Sequence, residues 1–279
     1  MRTPEFEQVL AANVEYHEAL AESYDATQPH FLPENVARVN DILSELRARF
    51  AAEDAVLVDL GTGTGFVLNV AKRHFRKLIG IDATPAMLAR VDVSGAQIEL
   101  HVSQTESMPF IADSSVSVVT GYSFVHHLFD IRKTLAESFR VLHSGGILYI
   151  DQDPNRNFWE LMRSMQNQAD LPPLVHRERE SVLSVVDDIA EEFGLAAETV
   201  ELAEFQKVRG GGLDGDLMKA LLLDVGFRKV EIRYEWYLGE GQLRRSQGEQ
   251  TQRAVGDHLK SLLPATRHLF KYISFIAEK

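Results

Sequence analysis

Cysteine is absent from all 279 residues. That excludes disulfides, thiolate catalysis and Cys-ligated zinc. Basic charge is also scarce. Twenty-nine Lys and Arg stand against 41 Asp and Glu, a net charge of −12, which argues against a nucleic-acid partner needing a basic face. No apolar run has membrane-spanning length. Residues 1–24 are polar and amphipathic rather than a secretory signal, so a cytoplasmic location is the expectation. There is no internal repeat and no low-complexity tract. What remains is a chain that is 45% hydrophobic, enough for a buried core in one large domain or two small ones.

The most informative stretch is Val56-Leu57-Val58-Asp59-Leu60-Gly61-Thr62-Gly63-Thr64-Gly65. It reads as a buried strand ending in an acid, then a tight glycine loop. An amphipathic helical run, Phe66 to Phe75, follows. Alternate glycines let the backbone turn sharply and let a ligand lie against it. The next helix points free N–H groups at the same place. A dinucleotide fingerprint needs G-x-G-x-x-G, and its last glycine is missing here. A phosphate loop is excluded because no Lys-Ser or Lys-Thr follows. Asp59 would repel a pyrophosphate and suit a cation.

Lys77 to Asp82 is a second apolar strand ending in an acid. Asp82 stands about 20 residues on, the interval at which a carboxylate accepts from ribose hydroxyls. Thr84-Pro85 then reads as an N-cap and first turn. The third segment, Ile98 to Phe110, alternates as a strand and then breaks at Pro109. Ser115–Tyr122 is the fourth strand. Asp130–Leu142 has helical spacing and ends at Gly145-Gly146, read as a glycine stop. Ile147–Ile150 is the fifth strand, with Asp151 and Asp153 at its mouth. Leu217–Val225 is helical, capped by Gly226. Phe227–Tyr237 and His268–Ala277 are further strands. Strands alternating with helices imply a doubly wound sheet, with ligands at the C-terminal strand edge.

Asp59-x-Gly61-x-Gly63-x-Gly65 resembles the first motif of class I S-adenosylmethionine-dependent methyltransferases. Gly80-Ile81-Asp82-Ala83-Thr84-Pro85-Ala86-Met87-Leu88 resembles their second. Gln104-Thr105-Glu106-Ser107-Met108-Pro109-Phe110 resembles the adenine-side motif, with Gln104 where an Asp usually stands. Glu22-Ser23-Tyr24-Asp25 is similar to the entry motif of the ubiquinone/menaquinone-type (type 11) small-molecule members, in which the tyrosine folds over the cofactor. Cation–π attraction to a sulfonium suits such a ring.

The resemblance implies an α/β, Rossmann-like doubly wound sheet of seven strands, mostly parallel with an antiparallel last strand closing a strand hairpin. It implies S-adenosyl-L-methionine as cofactor, held by Tyr24, Asp59, Gly61, Thr62, Gly63, Gly65, Asp82, Ala83, Met87, Gln104, Thr105, Glu106 and Tyr122. The expected organisation is an N-terminal helical lid over 1–50, a core over 51–153 and 213–279, and a helical cap over 154–212. In the cap, Phe158, Trp159, Leu161, Met162 and Met165 share one helical face, and another helix is expected near Ser181–Phe193.

Methyl transfer is an in-line displacement, so holding the reactants in line in a dry pocket is the protein's main task. A hydroxyl or carbon acid also needs a base. Candidates are His126, His127, Tyr16, His17 and Tyr24, with His127, His17 and Tyr24 assigned catalytic roles. A roofed pocket and an absent Asn/Asp-Pro-Pro-Tyr/Phe tetrapeptide disfavour macromolecular acceptors. The expected partner is a moderately apolar small molecule accepting on oxygen or carbon, with a homodimer left open. Asp151 and Asp153 lack a companion with clear ligand spacing, so no metal is expected. Two other classes stay in view: a catalytically silent cofactor-binding regulator, and an NAD(P)-linked oxidoreductase, which the glycine spacing opposes.

Overall fold

The computed structural model describes residues 3–51 and 55–279. Residues 1, 2 and 52–54, which include the start of the expected lid and part of the approach to the first strand, lie outside the described residues. Three helices come first: α1 (Pro4–Leu20), α2 (Tyr24–Thr27) and α3 (Pro33–Arg47). Then β1 (Val56–Leu60), α4 (Phe66–Ala71), β2 (Lys77–Asp82), α5 (Pro85–Leu88), β3 (Gln97–Val102) and β4 (Val116–Tyr122) alternate. Next come α6 (Ile131–Val141), β5 (Leu142–Pro154) and five helices: α7 (Arg156–Ser164), α8 (Pro173–Leu183), α9 (Val185–Phe193), α10 (Ala197–Ala203) and α11 (Phe205–Val208). The chain closes with α12 (Gly215–Val225), β6 (Arg228–Tyr237), α13 (Glu240–Gln247), α14 (Glu249–Ser261) and β7 (Phe270–Glu278).

The seven strands form one sheet, ordered β3-β2-β1-β4-β5-β7-β6. Pairings from β3 through β5 are parallel, and β7 runs antiparallel to both β5 and β6. All seven residues of β4 are buried, as expected for a parallel strand covered on both faces. Two apolar clusters lie against the sheet. One joins Val58, Ile79, Val119 and Leu148 to α6 and α12; the other joins Leu57, Leu78, Val118 and Tyr149 to α3 and α4. Each such fully buried aliphatic side chain contributes about 1.5–3 kcal/mol.

Several local expectations are corrected. The α6 helix ends at Val141, and Gly145 (φ +79°) and Gly146 fall inside β5 rather than capping the helix. The pairing of β4 and β5 is irregular there, with Val116 opposite Leu142 and Val118 opposite Ile147. Thr84 holds the N-cap position of α5 without a side-chain cap bond; Asp82 Oδ1 takes its N–H instead, at 2.8 Å. The helix near Ser181–Phe193 is two, α8 and α9, parted at Ser184. The link from β6 to β7 is no tight hairpin, since α13 and α14 intervene. The last strand starts at Phe270, after a short 3-10 turn at Arg267–Leu269.

Candidate active site

β1, β2 and β4 deliver their C-terminal ends side by side. The glycine loop after β1 carries three left-handed turns, with φ of +62° at Gly61, +55° at Gly63 and +92° at Gly65. L side chains rarely adopt such values. A Cβ at Gly61 would lie 2.1 Å from the Phe124 ring, whereas one at Gly63 would meet only Tyr24, at 4.0 Å. The loop is thus packed at Gly61 and open at Gly63. Thr62 Oγ1 accepts the Ile81 N–H and donates to the Asp59 carbonyl, both at 2.9 Å, which staples the loop to β2.

Asp82 is held at the cavity by two backbone donors. Its Oδ2 accepts the Gly63 N–H and its Oδ1 the Thr84 N–H, each at 2.8 Å. A carboxylate has further lone pairs, so this fixed group can still accept from two vicinal hydroxyls. The open space at Gly63 and the fixed Asp82 carboxylate suit a nucleoside with an amino-acid tail. Asp59 lies deeper. It is 1% exposed, accepts from Thr120 Oγ1 at 2.6 Å and does not line the cavity. Burial pushes its carboxyl up to about 7, against the Thr120 hydrogen bond.

The cavity gathers most of the expected residues: Tyr24, Gly61, Gly63, Asp82, Ala83, Gln104, Thr105, Glu106 and Tyr122, with His17 and His127 at its far end. Thr62, Gly65 and Met87 are not in its wall. Gly65 backs onto Val91, and Met87 is fully buried. Helix α1 contributes Phe6, Val9, Leu10 and Asn13 to the lining. A groove of about 420 Å³ continues outward past Ala83 and Gln104, between Val14 and Phe110. Tyr24 is anchored at the loop because Thr64 Oγ1 donates to its neighbour Asp25, at 2.5 Å. Burial and the nearby Asp82 charge push the Tyr24 phenol above its ordinary value, so it keeps its proton and is unsuited as a base.

His17 and His127 form a partition, with ring centroids 4.8 Å apart. His17 Nδ1 lies 2.8 Å from the Asn13 carbonyl, and His127 Nδ1 lies 2.7 Å from the Ala203 carbonyl. A carbonyl only accepts, so both Nδ1 atoms donate. In the neutral rings Nε2 then keeps its lone pair. Burial pushes His127 well below its ordinary value, with the neighbouring His126 adding to the effect.

Behind the partition lies a chamber of about 330 Å³. Val182, Val185, Ile189 and Phe193 of α8 and α9 contribute to its lining, as do Trp159 and Tyr272. Its polar corner holds Tyr16, His126, Glu204 and Lys207. Tyr16 donates to Glu204 Oε1 at 3.1 Å, and Lys207 Nζ lies 2.9 Å from Glu204 Oε2. Burial alone would raise the Glu204 carboxyl, but Lys207 foremost holds it below the usual carboxylate range.

The two acids at the mouth of β5 have separate partners. Asp151 pairs with Arg38 at 2.7 Å and accepts from Tyr149. Asp153 Oδ1 accepts the His126 main-chain N–H at 2.9 Å and faces its ring Nδ1 at 2.8 Å. Sequence reasoning missed Ser123, Phe124 and Glu204. Ser123 (φ +51°) and Phe124 directly follow β4, and both line the cavity; a non-glycine residue at positive φ is uncommon and concentrates at functional sites. Glu204 had no local signal.

Residues 58–150 match the family described as methyltransferase domain, type 11. Residues 58–150 thus carry a methyltransferase domain of this type. Over 140 residues it is 29% identical to a probable S-adenosylmethionine-dependent methyltransferase of Mycolicibacterium smegmatis, covering 50% of this chain and 53% of that protein. Over 135 residues it is 33% identical to the demethylmenaquinone methyltransferase of Chlorobaculum parvum, covering 47% and 55%. The matched stretch therefore spans about half the length of these curated relatives. Among solved structures, the YcgJ protein of Bacillus subtilis aligns with a TM-score of 0.53 at 14% identity, over 87% of this chain and 98% of that one. A SAM-dependent methyltransferase of Archaeoglobus fulgidus aligns at 0.50 and 17%, over 90% and 100%. At these identities the structural likeness speaks to the fold of the methyltransferase domain.

Proposed function

We propose that this protein binds S-adenosyl-L-methionine in the cavity beneath α1 and moves its methyl group to oxygen or carbon of a moderately apolar small molecule in the chamber beyond. The observation carrying this reading is the shared wall. His17 and His127 line both the cavity at the glycine loop and the helix-roofed chamber. A methyl donor on one side and an acceptor on the other would meet at that wall.

When bound, the cofactor supplies an electrophilic methyl on a sulfonium. The chain's own residues do the rest. Asp82 orients the ribose hydroxyls, and the loop at Gly63 lets the amino-acid tail lie close to the backbone. Asp59, beneath the loop, acts on the tail's ammonium through the loop rather than by touching it. Tyr24 lays its ring over the same end, where cation–π attraction favours positive charge. Gln104 and the groove beside it take the base, with a side-chain amide able to accept from an amino group. The α1 lid and the α7–α11 cap exclude water, which strengthens electrostatic interactions inside. His17 and His127 offer Nε2 lone pairs to the acceptor's proton. A positioned base of this type contributes about 10²–10⁴-fold.

Calorimetry with S-adenosylhomocysteine and with NAD is the first test. Binding of the former without the latter is expected; the reverse ends the reading. A screen of small acceptors with labelled cofactor follows. Turnover in His17→Ala or His127→Ala should then fall by roughly 10²-fold with S-adenosylhomocysteine affinity retained. Unchanged turnover in both variants would remove the wall from the chemistry.

A further inference from the structure

The polar corner of the chamber holds more nitrogen and oxygen donors than methyl transfer uses. One donor atom from each of His126, His127 and Glu204 lies within 4.8 Å of the other two, and all three residues are deeply buried or lie in the chamber wall. His126 Nε2 and Glu204 Oε2 are 3.4 Å apart, yet Glu204 Oε2 has no directed hydrogen bond among the described residues. That spacing is close to the ligand–ligand edge, about 3.3–3.4 Å, of a tetrahedron with bonds of about 2.0–2.1 Å.

Both rings are already turned for such a role. Asp153 Oδ1 receives the His126 main-chain N–H and is 2.8 Å from Nδ1; with Asp153 ionised the ring proton sits on Nδ1, and Nε2 faces the Glu204 carboxylate as a second acceptor. Two acceptors at that distance repel unless positive charge stands between them. His127 commits Nδ1 to the Ala203 carbonyl and has Nε2 left to give. Tyr16 holds the other oxygen of Glu204. A carboxyl or carbonyl group on the far nitrogen of a histidine, and a hydrogen bond on a ligating carboxylate, are what orient metal ligands. Lys207 Nζ, 2.9 Å from Glu204 Oε2, supplies the positive charge at present. It is the tip of a flexible chain that also lies over the Trp159 ring, 5.9 Å from its centroid, so it can withdraw.

We propose that His126, His127 and Glu204 form a binding site for a divalent first-row transition ion, of the two-histidine, one-carboxylate type that zinc accepts. An ion there would present its open positions to the chamber, where an acceptor's hydroxyl or carbonyl oxygen could ligate. That role rests on the methyl-transfer reading and leaves His17 as the base whenever an ion holds the His127 Nε2 lone pair; ion binding itself does not rest on it.

The test uses tag-free full-length protein, stripped with a chelator and titrated with Zn²⁺ alone against a chromophoric competitor. One ion per chain is expected. Glu204→Gln should weaken it by roughly 100-fold or more. Lys207→Met, which removes the competing charge, should tighten it by about tenfold. Co²⁺ in place of Zn²⁺ should give the visible absorption of a four- or five-coordinate site, lost in His126→Gln. Substoichiometric binding overturns the proposal, as does an affinity that neither Glu204→Gln nor Lys207→Met alters. If Glu204→Gln does not fold, an unchanged affinity in Lys207→Met overturns it alone. S-adenosylhomocysteine calorimetry on the same stripped protein reads the cofactor site separately, so the two ideas fail independently.

Discussion

The cavity and the chamber that share His17 and His127 are built by opposite means. On the cavity side, main chain and short turns do the work. Gly61, Gly63 and Asp82 lie within 22 residues of one another, and parallel pairing of β1 with β2 brings them together. On the chamber side, side chains from distant helices converge. Glu204 is 188 residues from Tyr16, its hydrogen-bond partner, and the roof comes from helices outside the sheet. On the proposed reading, the first design fixes the cofactor. The second can change its contents without disturbing the sheet, which is where selectivity for an acceptor belongs.

Asp82→Ala should break the cavity side most severely. On the proposed reading it removes the acceptor for two ribose hydroxyls, each charge-assisted bond being worth about 1.5–3 kcal/mol. S-adenosylhomocysteine affinity should fall by roughly 10²–10⁴-fold in calorimetry, while Zn²⁺ affinity holds. A fall of less than tenfold would show that the carboxylate is not the ribose clamp.

Asp59→Asn should sharpen the comparison by separating stability from binding on that side. The folded carboxyl titrates near 7, above its unfolded value near 4. The protonated form's advantage is therefore complete below about pH 4 and is lost as pH rises through 7. Above that the native protein carries a penalty on the order of 4 kcal/mol, which an amide lacks. Thermal melts should show the variant more stable than the native chain at pH 8 and level with it at pH 4. Its S-adenosylhomocysteine affinity should nevertheless drop, through loss of charge beneath the ammonium. Equal melting curves at both pH values would contradict the account of Asp59.

Trp159→Phe probes the chamber side and should have the smallest effect. The indole Nε1 is buried with no hydrogen-bond partner among the described residues, in a residue that lines the chamber. Losing this donor should raise the KM for an acceptor about five- to tenfold and leave S-adenosylhomocysteine binding unchanged. A change in the latter with no change in the former would put Trp159 on the wrong side of the partition.

The same contrast explains what could be read from sequence. The strand-loop-helix grammar of residues 56–88 is local, so the sheet and the positions of Gly63 and Asp82 were legible. Tyr24 was legible through its tetrapeptide, although its raised phenol pKa, a product of burial, was not. Asp59 was expected to touch the ligand and sits under the loop instead, because period-two alternation says which face a residue takes but not how deep it lies. Gly145 and Gly146 looked like a helix stop, yet the strand begins before them, where β4 pairing outweighs local turn preference. Asp153 and His126, 27 residues apart, and Glu204, further still, meet only once β5 and α10–α11 are in place. No spacing rule links them.

Helix α1 belongs to both compartments. Phe6, Val9 and Leu10 face the cavity, while Tyr16 and Leu20 pack on Val200 and Ala203 of α10. Displacing α1 to admit one ligand therefore disturbs the ceiling over the other. Thermodynamic reciprocity then demands that whatever an occupant of one room adds to its neighbour's affinity is returned in equal measure.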